Sequence, residues 1–237
     1  MQVRKTLKIP VHYDTTKTKL EKLERLTARI TFVIRLISEL ITEHTQLDRK
    51  TIRKLVKNND IAGKTGLSYA FRDQCIDKVI WAWKSYKKLH KEWEKKVKRA
   101  EERVVSARDD KEKEKREKSL RKLLKREPSK PDFQGKTSCR IDYRTGKVQW
   151  NRYSKLIVLW IHISTLEKRK TINIPLNPSQ YHLNQLKNVE IDDFEIIKKE
   201  KKYYIHISIT KEIEEKKISS TSKCCYSKIA PEGALRE

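Results

Sequence analysis

The 237-residue sequence contains only five glycines and six prolines. That scarcity excludes a low-complexity chain and argues for regular secondary structure over most of the length. No run approaches the roughly 20 apolar residues that a membrane-spanning helix needs. The start, Met1 to Pro10, is basic and strand-like and lacks the apolar core of a secretory signal. Four cysteines (Cys75, Cys139, Cys224 and Cys225) include no CxxC pair, so neither a disulfide framework nor a zinc ribbon is expected. Six histidines fall outside HxxxH and HExxH spacing, and no metal site is expected from them. These absences point to a cytoplasmic, metal-free protein with no catalytic constellation, no membrane partner and no small-molecule substrate.

Positive charge is what the sequence has in excess. It carries 57 Lys+Arg against 32 Asp+Glu, a formal net charge of +25. Such an excess repels itself in a compact fold unless a polyanion neutralises it. Nucleic acid is the usual polyanion, because Lys and Arg docked on phosphates release condensed counterions. A lysine-rich proteome is the competing explanation.

Hydrophobic periodicity divides the chain. VRKTLKIPV (Val3 to Val11) alternates with a period of two and reads as a strand that Pro10 limits. From Thr18 to His44, the spacing of Leu23, Leu26, Ile30, Val33, Ile37 and Leu40 predicts a helix, with Ile34 and Ile41 widening its stripe. Asp48 is placed to cap a short helix, Arg49 to Asn58, with Ile52 and Leu55 inward. Gly63 to Gly66 breaks the pattern, and Ser68 can cap a second long helix. Its aromatic stripe, including Trp83, Tyr86 and Trp93, is expected to be core. From Lys95 to Arg126 the charge-dense stretch reads as a solvated helical hairpin or as an arm along a phosphate backbone. Pro128 and Pro131 then stop helix formation, and the period changes to two. CRIDYRTGKVQW predicts a hairpin turning at Thr145-Gly146. Strands follow at Leu156 to Ser164, Lys170 to Leu176, Phe194 to Lys199 and Tyr203 to Thr210, with a short helix, Pro178 to Lys187, opened by Asn177. The expected fold is α+β, a small and partly closed β-barrel with helices inserted after its first strand. Its divisions are residues 1–12 (first barrel strand), 13–127 (helical lobe), 128–210 (barrel) and 211–237, an aberrant or poorly ordered tail.

The order of KTLKIPV, GLSYAFRDQCIDKVIWAWKSYKKLHKEW, REPSKP, NPSQYHL and FEIIKKEKKYYIHISIT resembles the amino-terminal half of archaeal TnpB (OrfB) transposases, over residues 2 to about 210. These proteins accompany insertion sequences and are related to type V CRISPR effectors. The resemblance implies a wedge-type (OB-like) barrel with an inserted recognition lobe, holding a guide RNA and its duplex with target DNA. In that family a RuvC nuclease follows, with acidic metal ligands and a zinc-binding insert. After Thr210 this sequence offers no apolar strand bearing an Asp, no later carboxylate pair and no CxxC. The RuvC domain is therefore expected to be absent, no Mg or Zn cofactor is expected, and the chain is expected not to be an enzyme. Asp192 and Asp193 read as turn or capping residues.

Base pairing would then read sequence while the protein supplies basic channels and a short direct readout. Ser68, Tyr69, Arg72 and Gln74 are the candidates for direct contact, with Lys78 on the same helix, because Arg and Gln can bond base edges and a helix start can bind phosphate. The plainer alternative leaves Ser68 as a cap and Gln74 facing water. Arg4, Lys5 and Lys8 on the first strand, and Arg126 and Lys130 near the proline link, are candidates for backbone contact. Tyr143 and Trp150 could stack bases, although core packing is the stronger expectation for Trp150. Three other readings remain: a helix-turn-helix repressor built on Arg49 to Asn58 and the Ser68 helix, a coiled-coil interaction protein built on Leu23 to Leu40, and a non-functional transposase remnant.

Overall fold

Alternation at the start of the chain produces a long edge pairing. Strand β1 (Gln2–Pro10) runs antiparallel to β7 (Lys202–Glu212) along its whole length, from Gln2 opposite Glu212 to Pro10 opposite Tyr204. Leu7 and Ile9 are buried, while Arg4, Thr6 and Lys8 face outward. Beyond Pro10 the chain crosses to the second sheet, with Val11 bridging to Leu176 and the His12 N–H donating to the Pro175 carbonyl at 2.9 Å. This computed structural model describes residues 2–212 except 136, 152, 153, 155, 156, 188, 190, 192 and 201. The expected tail, with Cys224 and Cys225, and the turn role of Asp192 lie outside the described residues.

Helix α1 (Lys17–Glu39) buries Leu23, Leu26, Ile30, Val33, Ile34 and Ile37. The expected coiled-coil seam is thus consumed inside the protein. The helix stops at Leu40, short of His44, and Ile41 is buried beyond its end. Helix α2 (Arg49–Asn58) starts as expected, with the Asp48 carboxylate accepting from the Thr51 N–H at 2.9 Å. Its inner pair is Ile52 and Val56 rather than Ile52 and Leu55. The glycine-bearing break holds a five-residue helix, α3 (Ile61–Thr65), ended by Gly66 at φ 63°, a left-handed conformation that suits glycine.

Helix α4 (Tyr69–Val105) spans 37 residues, about 55 Å at 1.5 Å per residue. Its aromatic stripe is core as far as Trp83 and Tyr86. Farther along, α5 (Asp110–Leu124) folds back on it and buries no residue. The Trp93 indole donates to the Leu123 carbonyl at 3.0 Å, and pairs such as Lys118–Glu114 (2.8 Å) run along the exposed face of α5. The charge-dense stretch is a solvated hairpin.

The remaining strands form two sheets. One has the order β1-β7-β6-β2, with β2 (Cys139–Ile141) and β6 (Phe194–Lys199); the other is β3-β4-β5, with β3 (Gly146–Trp150), β4 (Leu159–Ser164) and β5 (Thr171–Pro175). The expected hairpin at residues 139–150 does not form. β2 pairs with β6 and β3 with β4, so the turn between them is a corner joining the sheets. Gly146 sits in that corner, where an added Cβ would lie 2.5 Å from Ile141 Cγ2 and 2.6 Å from the His162 carbonyl oxygen. The sheets do not close into a barrel. Trp150, expected in the core, is 41% exposed, because it ends an edge strand. Helix α6 (Gln180–Leu186) is capped by Ser179 rather than Asn177. Side chains from both sheets and from α1 to α4 belong to one core cluster, so the helical insert shares its interior with the strands.

Candidate nucleic-acid interface

The start of α4 is fastened to the sheet corner by a chain of charges. Asp73 is 2% exposed and accepts a fork from Arg53, Nε at 3.0 Å and Nη2 at 2.8 Å. Arg144, from the corner, reaches the same carboxylate at 3.3 Å. It also forks onto Asp142, at 3.0 Å through Nε and 2.6 Å through Nη2. Burial opposes ionisation of Asp142, but the hydrogen bonds and charge of Arg144 hold its pKa below the usual value. Contact with Asp142 and Asp73 raises that of Arg144 in turn. Arg49 binds Asp77 one turn along α4, with Nε at 2.9 Å. Two basic residues of α2, Arg49 and Arg53, are therefore aimed at α4, while Lys50, Lys54 and Lys57 of the same helix are exposed.

Gln74 corrects an expectation. It is 6% exposed and its amide donates to Thr145 Oγ1 at 2.9 Å, so it neither faces water nor reaches outward to a base. The corner covers it. Two polar atoms beside this junction, Gln74 Oε1 and Arg72 Nε, are buried without a hydrogen-bond partner. Such atoms each cost about 1–3 kcal/mol.

Outside the network the surface is cationic and aromatic. Tyr69 is 56% exposed, with the guanidinium groups of Arg53 and Arg72 lying 5.5 and 5.8 Å from its ring centre. Tyr143, beside Arg144 in the corner, is 82% exposed. A cleft of about 490 Å3 separates the start of α4 from the turn between β4 and β5, and Ser68, Phe71, Arg144, Lys168, Arg169 and Lys170 help to line it. Ser68 occupies the N-cap position but its side chain makes no capping bond, which leaves the positive end of a long helix dipole open at that place. The turn carries its own acid, Glu167, which pairs with Lys170 at 2.5 Å and Lys22 at 3.8 Å; Lys168 and Arg169 are exposed.

Of the residues singled out in the sequence, Ser68 lines this cleft, while Tyr69 and Arg72 follow it on α4 with the Arg72 guanidinium beside the Tyr69 ring. Lys78 is turned inward, donating to Ser138 at 2.6 Å and lying 3.6 Å from Glu195. Arg4, Lys5 and Lys8 are exposed on β1, where Lys5 covers the ring of Tyr181 at 4.8 Å and Lys8 that of Tyr204 at 4.0 Å. Arg126 is exposed after α5, and Lys130 pairs with Glu43 at 3.0 Å, which raises the lysine pKa. Sequence reasoning passed over Arg53, Arg144, Lys168 and Arg169. The charged EKRK turn between two buried strands was the available signal for the last two.

No protein-family model matches the chain, and no curated protein matches its sequence. Among the described residues, no helix is long and apolar enough to cross a membrane.

Proposed function

We propose that this chain binds RNA and the duplex that the RNA forms with DNA, in the manner of the amino-terminal half of a TnpB-type protein, and that it does so without cleaving either strand. The observation that carries the reading is the cleft at the start of α4. The exposed cations Lys168 and Arg169 line it, and the exposed aromatics Tyr69 and Tyr143 adjoin its lining residues Ser68 and Arg144 in sequence, on a chain of net charge +25. Phosphates are drawn by the cations, and unstacked bases lie on the rings with support from arginine. The carboxylates near this surface are engaged with cations: Asp73 with Arg53 and Arg144, Asp77 with Arg49, Asp142 with Arg144, and Glu167 with Lys170 and Lys22. Their role in the reading is to position cations, which is a binding task.

The test is to express the tagged chain in its native host, precipitate it and sequence the RNA that comes with it. One strongly enriched transcript is the expected result. Bulk RNA without a preferred species, or no RNA, contradicts the guide-binding reading and leaves a remnant whose lysines attract polyanions indiscriminately.

A further inference from the structure

Away from the cleft, a second cavity opens between α1, residues 133–135 and 137, and β6. It holds about 260 Å3, and its lining includes Phe32, Phe133, Thr27, Thr31, Arg35 and Lys198. We propose that this cavity receives a single unstacked base from a bound single strand. The inference rests on the nucleic-acid reading above and adds a site to it.

Its size sits below the usual range for a drug-sized ligand, about 300–1,000 Å3. That excludes a whole nucleotide with its phosphate enclosed and leaves room for one flat ring system. The walls suit such a ring. Phe32 is 39% exposed on a helix whose next two residues, Val33 and Ile34, are buried; folding therefore leaves its ring in water although the core is close by. Phe133, from the segment after the proline link, is half-buried and supplies a second aromatic face. Arg35 lies with its guanidinium 5.4 Å from the Phe32 ring centre; its side chain is 46% exposed, and its Nε is 3.6 Å from the Glu39 carboxylate in an exposed pair that a phosphate can displace. A base entering beside Phe32 would bring its phosphate to that cation at the mouth. The one acid in the lining, Glu24, is held by Lys198 Nζ and the Tyr203 hydroxyl, so its charge is matched within the fold. Aromatic faces, a cationic mouth and an internally matched acid together favour a base on a phosphate strand over a neutral apolar molecule, which would need no cation.

The test uses the full chain and a short single-stranded RNA carrying 5-iodouridine, irradiated and mapped by peptide mass spectrometry. Crosslinks to Phe32 or Phe133 are expected. Phe32→Leu and Phe133→Leu each keep an apolar lining and remove a ring. With folding checked by thermal melting, each should weaken single-strand binding at least about fivefold while leaving duplex RNA binding unchanged. Should Phe133→Leu melt early, Phe32→Leu alone decides, because its ring already stands partly in solvent. Crosslinks confined to Tyr69 or Tyr143, with unchanged affinity in the leucine variants, would overturn the cavity proposal and spare the general binding reading. No RNA binding by the unaltered chain overturns both.

Discussion

A carboxylate that is 2% exposed destabilises a fold unless it is matched, and Asp73 is matched twice, by Arg53 and Arg144. Removing one member of a buried pair strands the other charges and costs about 3–5 kcal/mol. Both arginines are partly exposed, so water screens them and the lower end applies. Asp73→Ala should therefore lose about 3 kcal/mol in urea unfolding, whereas a loss under about 1 kcal/mol would mean that the junction is held by packing alone. Gly146 makes a different kind of demand. Its virtual Cβ meets Ile141 and the His162 carbonyl at 2.5 and 2.6 Å, so Gly146→Ala overpacks the corner and should cost about 1–3 kcal/mol. A melting temperature unchanged from the parent would show that the corner yields freely.

At the scale of elements, α5 should be dispensable for folding, since it buries no residue. Replacing residues 107–125 by a short flexible linker should leave the cooperative unfolding of the rest intact, with a melting temperature within a few degrees of the parent. Loss of cooperativity would place the hairpin in the core. The strands carry a pH dependence of their own. Burial, aided by Lys147, lowers the pKa of His162 on β4; burial, aided by Lys8 and opposed by Glu195, lowers that of His206 on β7. A depressed histidine pKa gives stability that is full above the unfolded value, about 6.5. That stability is lost as pH falls through the folded values, because the unfolded chain takes up protons first. The melting temperature should thus drop between about pH 7.5 and about pH 5, and the drop should shrink in a His162→Gln, His206→Gln double variant. An equal drop in parent and variant would assign the effect to other groups. Elements of this kind were legible to different degrees. β6 and the Asp48 cap follow from local signals, periodicity in one case and a side-chain acceptor in the other. The corner at residues 139–150 was misread because a turn sequence does not reveal which distant strand each arm will pair with. Gln74 was misplaced for the same reason, since the corner that covers it comes from 71 residues further along the chain.

On the scale of the whole molecule, periodicity pointed to helices inserted between the first strand and the others, without any long-range information. Closure of the barrel was not legible, because it depends on whether edge strands meet, and here they remain as two sheets joined through Val11 and the Asp142–Thr145 corner. The central claim is that the α4 cleft binds nucleic acid through its cations, and the salt dependence of RNA affinity tests it most directly. Each phosphate contact with a single strand contributes about −0.7 to the slope of log K against log salt. The double variant Lys168→Ala, Arg169→Ala should bind more weakly and with a slope shallower by about 1.4. An unchanged slope and affinity in a folded variant would contradict the account and move the binding surface elsewhere.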